Sequence, residues 1–157
     1  MFREMRLKNH ELPESEAIDI LENCSYGVLA LEGDDGYTYA VPVNYAYVDN
    51  KIYFHGATEG HKIDAIERNN KVSFCVVERD TVIAEKFDTK YKSAIVFGKI
   101  RVLKDEDDRY KALDALVLKF SPEHLERGRE TIKKELNVVA SFEIEIEYMT
   151  AKVGAVT

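Results

Sequence analysis

Apolar and polar residues alternate most clearly at residues 140–148, where Ala140, Phe142, Ile144, Ile146 and Tyr148 interleave with Ser141, Glu143, Glu145 and Glu147. A period of two puts each set on its own face, so this segment reads as a strand with one buried and one solvated side. Residues 26–32, YGVLALE, are apolar almost throughout and predict a strand buried on both faces. The cluster Gly33-Asp34-Asp35-Gly36 is a turn, and residues 37–47 make the return strand. Pro42 within it has no N–H to give a ladder, which places it at an edge, a bulge or beside something other than a strand. Asp49-Asn50 is a further turn into residues 51–55, so three strands are expected to follow one another as a meander. Residues 71–78 and 91–103 supply two more strands, the second with Gly98 where a strand bends or bulges. Residues 80–90 between them are charged and aperiodic.

The helical period appears in four places. Pro13 suits a first turn, and Ala17, Ile18 and Leu21 mark one face of a helix ending near Asn23. Ile63, Ala65 and Ile66 give a short helix stopped by Asn69-Asn70. Acidic residues 105–108 open the strongest helix, with Tyr110, Leu113, Leu116, Val117 and Phe120 on one face. Ser121, read as a cap, and Pro122 start a weaker helix to about Leu136, interrupted by Gly128. Six largely antiparallel strands with inserted helices predict a mainly β fold with α, a closed or split β-barrel forming a single domain over residues 1–157.

Charge narrows the function. With 22 basic and 29 acidic residues the chain carries a net charge of -7 and shows no basic stripe, which excludes a sequence-independent grip on nucleic acid. The charged N-terminus is no signal peptide, and no apolar run is long enough for a membrane span, so a cytoplasmic location is expected. Cys24 and Cys75 lack metal-ligand or redox spacing and read as small buried residues without a disulfide. The row Glu143, Glu145 and Glu147 reads as a solvated face, and no metal is assigned. Tyr37, Tyr39, Tyr45 and Tyr47 alternate as ordinary sheet packing, and His10 and His124 as isolated surface residues.

The candidate chemistry lies in residues 51–72, KIYFHGATEGHKIDAIERNNKV. A small-residue turn at 56–60 leaves backbone N–H groups uncovered, and a helix beginning His61-Lys62 adds unpaired donors and a partial positive charge. Phosphate is suited to such a place, as the end of a cofactor site. The alternative is a plain strand-turn-helix unit.

Several segments together resemble the split-barrel flavoproteins related to pyridoxamine 5′-phosphate oxidase, and most closely their 5-nitroimidazole-resistance branch, the Nim proteins. The resemblance rests on MFREMR, on residues 26–30 and 39–43, on IYFHGATEGHKIDAI and VSFCVV, and on residues 93–98 with 143–149. It implies a homodimer with two FMN sites across the subunit interface. His61 and Lys62 fall where the oxidases carry an Arg-Lys pair for the FMN phosphate, and Ala57 and Thr58 would complete its shell. Val41, Pro42, Val43 and Asn44 correspond to the backbone beside the flavin ring, and Ser93 to a polar flavin contact, with Lys86 and Phe87 as candidates to reach the partner's site. His55 would face flavin or substrate as a donor or proton source, the one catalytic candidate. The implied activity is FMN-dependent reduction of nitroimidazole-like or other small redox substrates, with a nicotinamide cofactor as a possible electron donor. Fold alone leaves open a non-catalytic flavin- or haem-binding module, or deazaflavin in place of FMN. A pyridoxamine 5′-phosphate oxidase proper is disfavoured because no Arg-containing tail follows the last strand before Thr157.

Overall fold

The computed structural model describes residues 1–155. In chain order it comprises β1 (Glu11–Leu12), α1 (Glu14–Asn23), β2 (Tyr26–Glu32), β3 (Thr38–Asn44), β4 (Ala46–Val48), β5 (Lys51–Gly56), α2 (His61–Arg68), β6 (Lys71–Ile83), β7 (Asp88–Val102), α3 (Glu106–Phe120), α4 (Leu125–Glu135) and β8 (Ala140–Val153). Eight strands replace the six expected. They form one antiparallel sheet in the order β3-β2-β6-β7-β8-β5-β4, with β1 beside β8. The sheet curls but does not close, so the barrel is split. No helix among the described residues is long and apolar enough to cross a membrane.

The split sits at Tyr45. A continuous strand over 37–47 and a three-strand meander do not form: β3 pairs only with β2 and β4 only with β5, at opposite ends of the sheet. One residue joins the two edges, so Cα atoms of Asn44 and Ala46 stand within about 7.6 Å of each other. Tyr45 pays for its interruption by complete burial: its hydroxyl donates to the Leu21 carbonyl at 2.7 Å, and its ring meets Phe74 edge-on at 5.0 Å. Lys119, in the last turn of α3, reaches the same seam. Its Nζ donates to the Tyr45 carbonyl at 2.9 Å and to the Cys24 carbonyl, and lies 4.0 Å from the Tyr45 ring centroid. Burial holds the Lys119 amine below its ordinary pKa.

The core lies on the inner face of the curl, with Leu29, Phe74, Val76, Val96, Phe142 and Ile144 fully enclosed. Exposure alternates along β2, so that strand buries one face rather than two. Residues 80–90 are a hairpin extension of β6 and β7, turned at Ala84–Lys86 and closed by Phe87 at φ 51°. Both sides of this extension face outward, so no apolar period marked it as strand. Gly98 falls at a register shift against β8, where any Cβ would collide with the Glu145 carbonyl. Asp105 caps α3 by accepting from the Asp108 N–H at 3.2 Å.

Ser121 makes no capping bond, since a short 3₁₀ turn at Pro122–His124 intervenes before α4. Nor does Gly128 break α4: a side chain there would strike Val117, so its absence lets α3 and α4 approach closely. Cys24 and Cys75 are free and half-buried rather than enclosed.

Glu145 and Glu147 are exposed as their row suggests, but Glu143 is not: it is 4% exposed and accepts from Arg101 Nε at 3.0 Å, with Lys51 Nζ at 3.7 Å. Its strand runs beneath α3, which covers what would otherwise be a wet face. The enclosed Tyr53 lies nearby, and burial first, then the Glu143 carboxylate, raises its hydroxyl pKa to about 12. Unfolded tyrosine releases its proton near pH 10, about two units lower. The folded chain therefore keeps a proton that the unfolded chain has lost, and stability is full below about pH 10 and falls as pH rises towards 12. Urea midpoints measured across that window are expected to fall less steeply for Tyr53→Phe than for the parent chain. Parallel slopes would remove Tyr53 as a cause.

Candidate functional site

The small-residue turn and the start of α2 form as the sequence suggests. Residues 57–60 are an exposed bend, Gly60 takes φ 125° ahead of α2, and no side chain caps the first-turn N–H groups. Lys62 folds back over this turn, with its Cε 3.6 Å and Nζ 3.9 Å from where a Cβ would stand on Gly56. Among the described residues Lys62 has no ion pair. Phosphate fits this arrangement: one uncommitted ammonium, uncovered N–H donors and a backbone approach kept open by glycine. Ala57 and Thr58 lie on the exposed bend.

His61 is differently occupied. Its ring stacks on Tyr39 of β3 at a centroid distance of 4.0 Å, and its Nε2 lies 3.8 Å from Asp34 Oδ2. Arg68 binds Asp34 at 2.7 Å and holds that carboxyl below the usual carboxylate range, with His61 adding to the effect. His61 thus ties α2 to β3, a role that Tyr39 would have disclosed had its packing partner been visible in the sequence. Lys62 is left as the principal cation.

β3 is an edge strand, which is where Pro42 costs no ladder bond. Val41 and Val43 turn inward to the core, while Pro42 and Asn44 are exposed. Asn44 donates to the Ser25 carbonyl at 3.0 Å. Following register across the sheet, Pro42 stands opposite Val28, Val28 opposite Cys75, Cys75 opposite Ile95 and Ile95 opposite Thr150. The neighbouring rank runs from Asn44 through Tyr26 at one side to Val77, Ser93 and Lys152 at the other. Pro42, Asn44 and Ser93 therefore belong to one outer face, with Ser93 several strands from β3. This face is unusually apolar for one open to water: Tyr26 is 53% exposed, Val77 47% and Phe97 38%. Phe2 stacks on Tyr148 at 5.0 Å and on Phe97 at 5.6 Å along its rim. Lys86 and Phe87 stand at the tip of the β6–β7 hairpin, and Phe87 is 98% exposed.

His55, near the end of β5, is exposed opposite Ser141 and precedes the glycine beneath Lys62. It also borders a cleft of about 440 Å³ whose other walls are α3, α4 and the turn between them. His124 and Arg127 line this cleft, and neither stood out in the sequence. His124 closes the 3₁₀ turn and Arg127 lies in the first turn of α4, so no single helical period links the two in the sequence.

The profile of the pyridoxamine 5′-phosphate oxidase family matches residues 13–153. The chain belongs to that family. No curated protein matches the sequence. Solved structures similar to this oxidase-family chain include a candidate 5-nitroimidazole antibiotic resistance protein from Bacteroides thetaiotaomicron VPI-5482, at 20% identity over 92% of this chain and 86% of that one, TM-score 0.79. The flavocytochrome Anf3 from Azotobacter vinelandii has 20% identity over 96% of this chain and 72% of its own, TM-score 0.83. The FAD and heme binding protein from Mycobacterium smegmatis has 23% identity over 92% and 72%, TM-score 0.77. At such identities the likeness is one of fold, and the split barrel is common to the pyridoxamine 5′-phosphate oxidase family and to this chain.

Proposed function

We propose that this chain binds FMN at two sites across a homodimer interface and reduces a small redox-active substrate of the nitroimidazole type. The observation that carries this reading is the shared outer face. Pro42 and Asn44 at one side and Ser93 at the other are too far apart to meet on one chain, yet an apolar sheet face is suited to burial by a second copy, which would bring one subunit's Ser93 towards the other's β3. Family membership and the flavins named for several structural relatives support flavin as the cofactor. FMN rather than FAD suits a site with one free lysine and a short turn, sized for a terminal monophosphate.

Bound flavin supplies reversible two-electron chemistry and can take its electrons from a nicotinamide cofactor. Lys62 and the uncapped N–H groups of α2 neutralise the phosphate. His61, fixed by Tyr39 and Asp34, sets the distance between α2 and β3. The β3 backbone from Val41 to Asn44 lines the ring, and Pro42 removes a donor that would compete there. Ala57 and Thr58 close the turn, and His55 positions the substrate or donates a proton to it.

The protein as purified should be yellow, release FMN on denaturation at one per subunit, and sediment as a dimer. Bleaching by a nicotinamide donor, followed by reoxidation with a nitroimidazole, would establish the reductase. A flavin that does not cycle would leave a carrier, a Soret band would replace flavin with haem, and a colourless monomer would sink the proposal.

A further inference from the structure

The cleft beside His55 has a chemistry of its own. Its body is apolar, with Leu113, Leu116 and Val117 of α3 facing Ile132 of α4 and Val139 beyond it. Its volume of about 440 Å³ falls in the range of roughly 300–1,000 Å³ typical of small-molecule sites. Three nitrogen-bearing side chains open onto it from different elements: His55 from β5, His124 from the 3₁₀ turn and Arg127 from the first turn of α4. Among the described residues none of the three side chains makes a hydrogen bond or ion pair. Thr131, one turn after Arg127, completes that wall and spends its hydroxyl on the Arg127 carbonyl at 3.0 Å. Glu135 is the only acid of the lining, and it stands about 12 Å along α4 from Arg127 by helix rise. An anion is thereby directed to the His124–Arg127 end, away from Glu135.

We propose that the cleft between His55 and the α3–α4 pair binds a small organic carboxylate, its apolar body among Leu116, Val117 and Ile132 and its head on Arg127 and His124. A guanidinium offers such a head two parallel N–H donors, which a neutral analogue cannot use equally. This site does not require flavin, although His55 makes it continuous with the turn beneath Lys62.

Benzoate, titrated calorimetrically into the purified protein with benzamide as its neutral counterpart, tests the assignment. Benzoate is expected to bind at least about tenfold more tightly than benzamide, the difference a charged hydrogen bond makes. Arg127→Gln should weaken benzoate about tenfold or more by the same reckoning. Thr131→Phe, placing a ring in the cleft from an exposed helix position, should abolish binding. Circular dichroism and flavin content checked on both variants separate this result from unfolding or from loss of the cofactor site. Benzoate binding that survives in Lys62→Ala would show the two sites to be independent. Equal affinity for benzoate and benzamide, unchanged binding in both cleft variants, or no benzoate binding at millimolar concentration would each overturn the proposal.

Discussion

Phe74→Ala is expected to destabilise the fold by about 3–5 kcal/mol, the usual cost of deleting a fully buried aromatic ring. The position makes the upper part of that range the expectation. Phe74 is completely enclosed, packs edge-on against Tyr45 at the seam, and fills the space that Gly27 leaves by lacking a side chain. Neither neighbour can follow a shrinking residue inward, because Gly27 has no side chain to extend and Tyr45 is held by its bond to Leu21. Such a loss is a large share of the 5–15 kcal/mol typical of a domain. Urea unfolding of the two proteins measures it, and a change below about 1 kcal/mol would show that the seam repacks freely.

The second large effect concerns the cofactor. Lys62→Ala is expected to weaken FMN binding about ten- to a hundredfold, since it removes the only uncommitted cation at the turn and with it one charge-assisted hydrogen bond. His61→Ala should act more gently on affinity and more on the docking of α2, because its ring is engaged with Tyr39 and Asp34. Fluorescence quenching on titrating FMN into the stripped proteins distinguishes the two. Equal losses in both variants would return His61 to the phosphate, and unchanged affinity in Lys62→Ala would move the phosphate elsewhere.

Much of this is legible in the sequence. The turn and α2 follow from small residues preceding His61-Lys62, because a local signal suffices for a local structure. The strand at 140–148 follows likewise from its own alternation, while Pro42 and Gly98 narrow the choice to an edge, bulge or non-strand neighbour and to a bend or bulge, which the sheet order and register then decide. What escaped depended on partners distant in sequence. Tyr45 looks like one more member of an alternating strand, and only the Leu21 carbonyl, Phe74 and Lys119 make it the point where one sheet edge becomes the other. Glu143 looks identical to Glu145 and Glu147, yet α3 and Arg101 enclose it alone. Gly128 read as a helix breaker because Val117, whose approach it permits, lies on another helix. Ser93 carries no signal of its own in the sequence, only a role that the family resemblance implies, and the cleft of His55, His124 and Arg127 is assembled by tertiary packing from segments that carry no shared motif.

The order of strands also bears on how quickly the chain reaches this form. β6 and β7 are consecutive and meet through a tight turn, so their pairing closes only a short loop. β5 instead pairs with β8, with Lys51 opposite Glu145, and that ladder cannot form until most of the chain between them has been gathered in. Closing so long a loop costs entropy before any contact repays it, and sheets rich in such pairings fold in milliseconds to seconds. The β6–β7 hairpin is therefore expected to acquire amide protection first during refolding, with β4 and β5 joining last and completing the barrel at the Tyr45 seam.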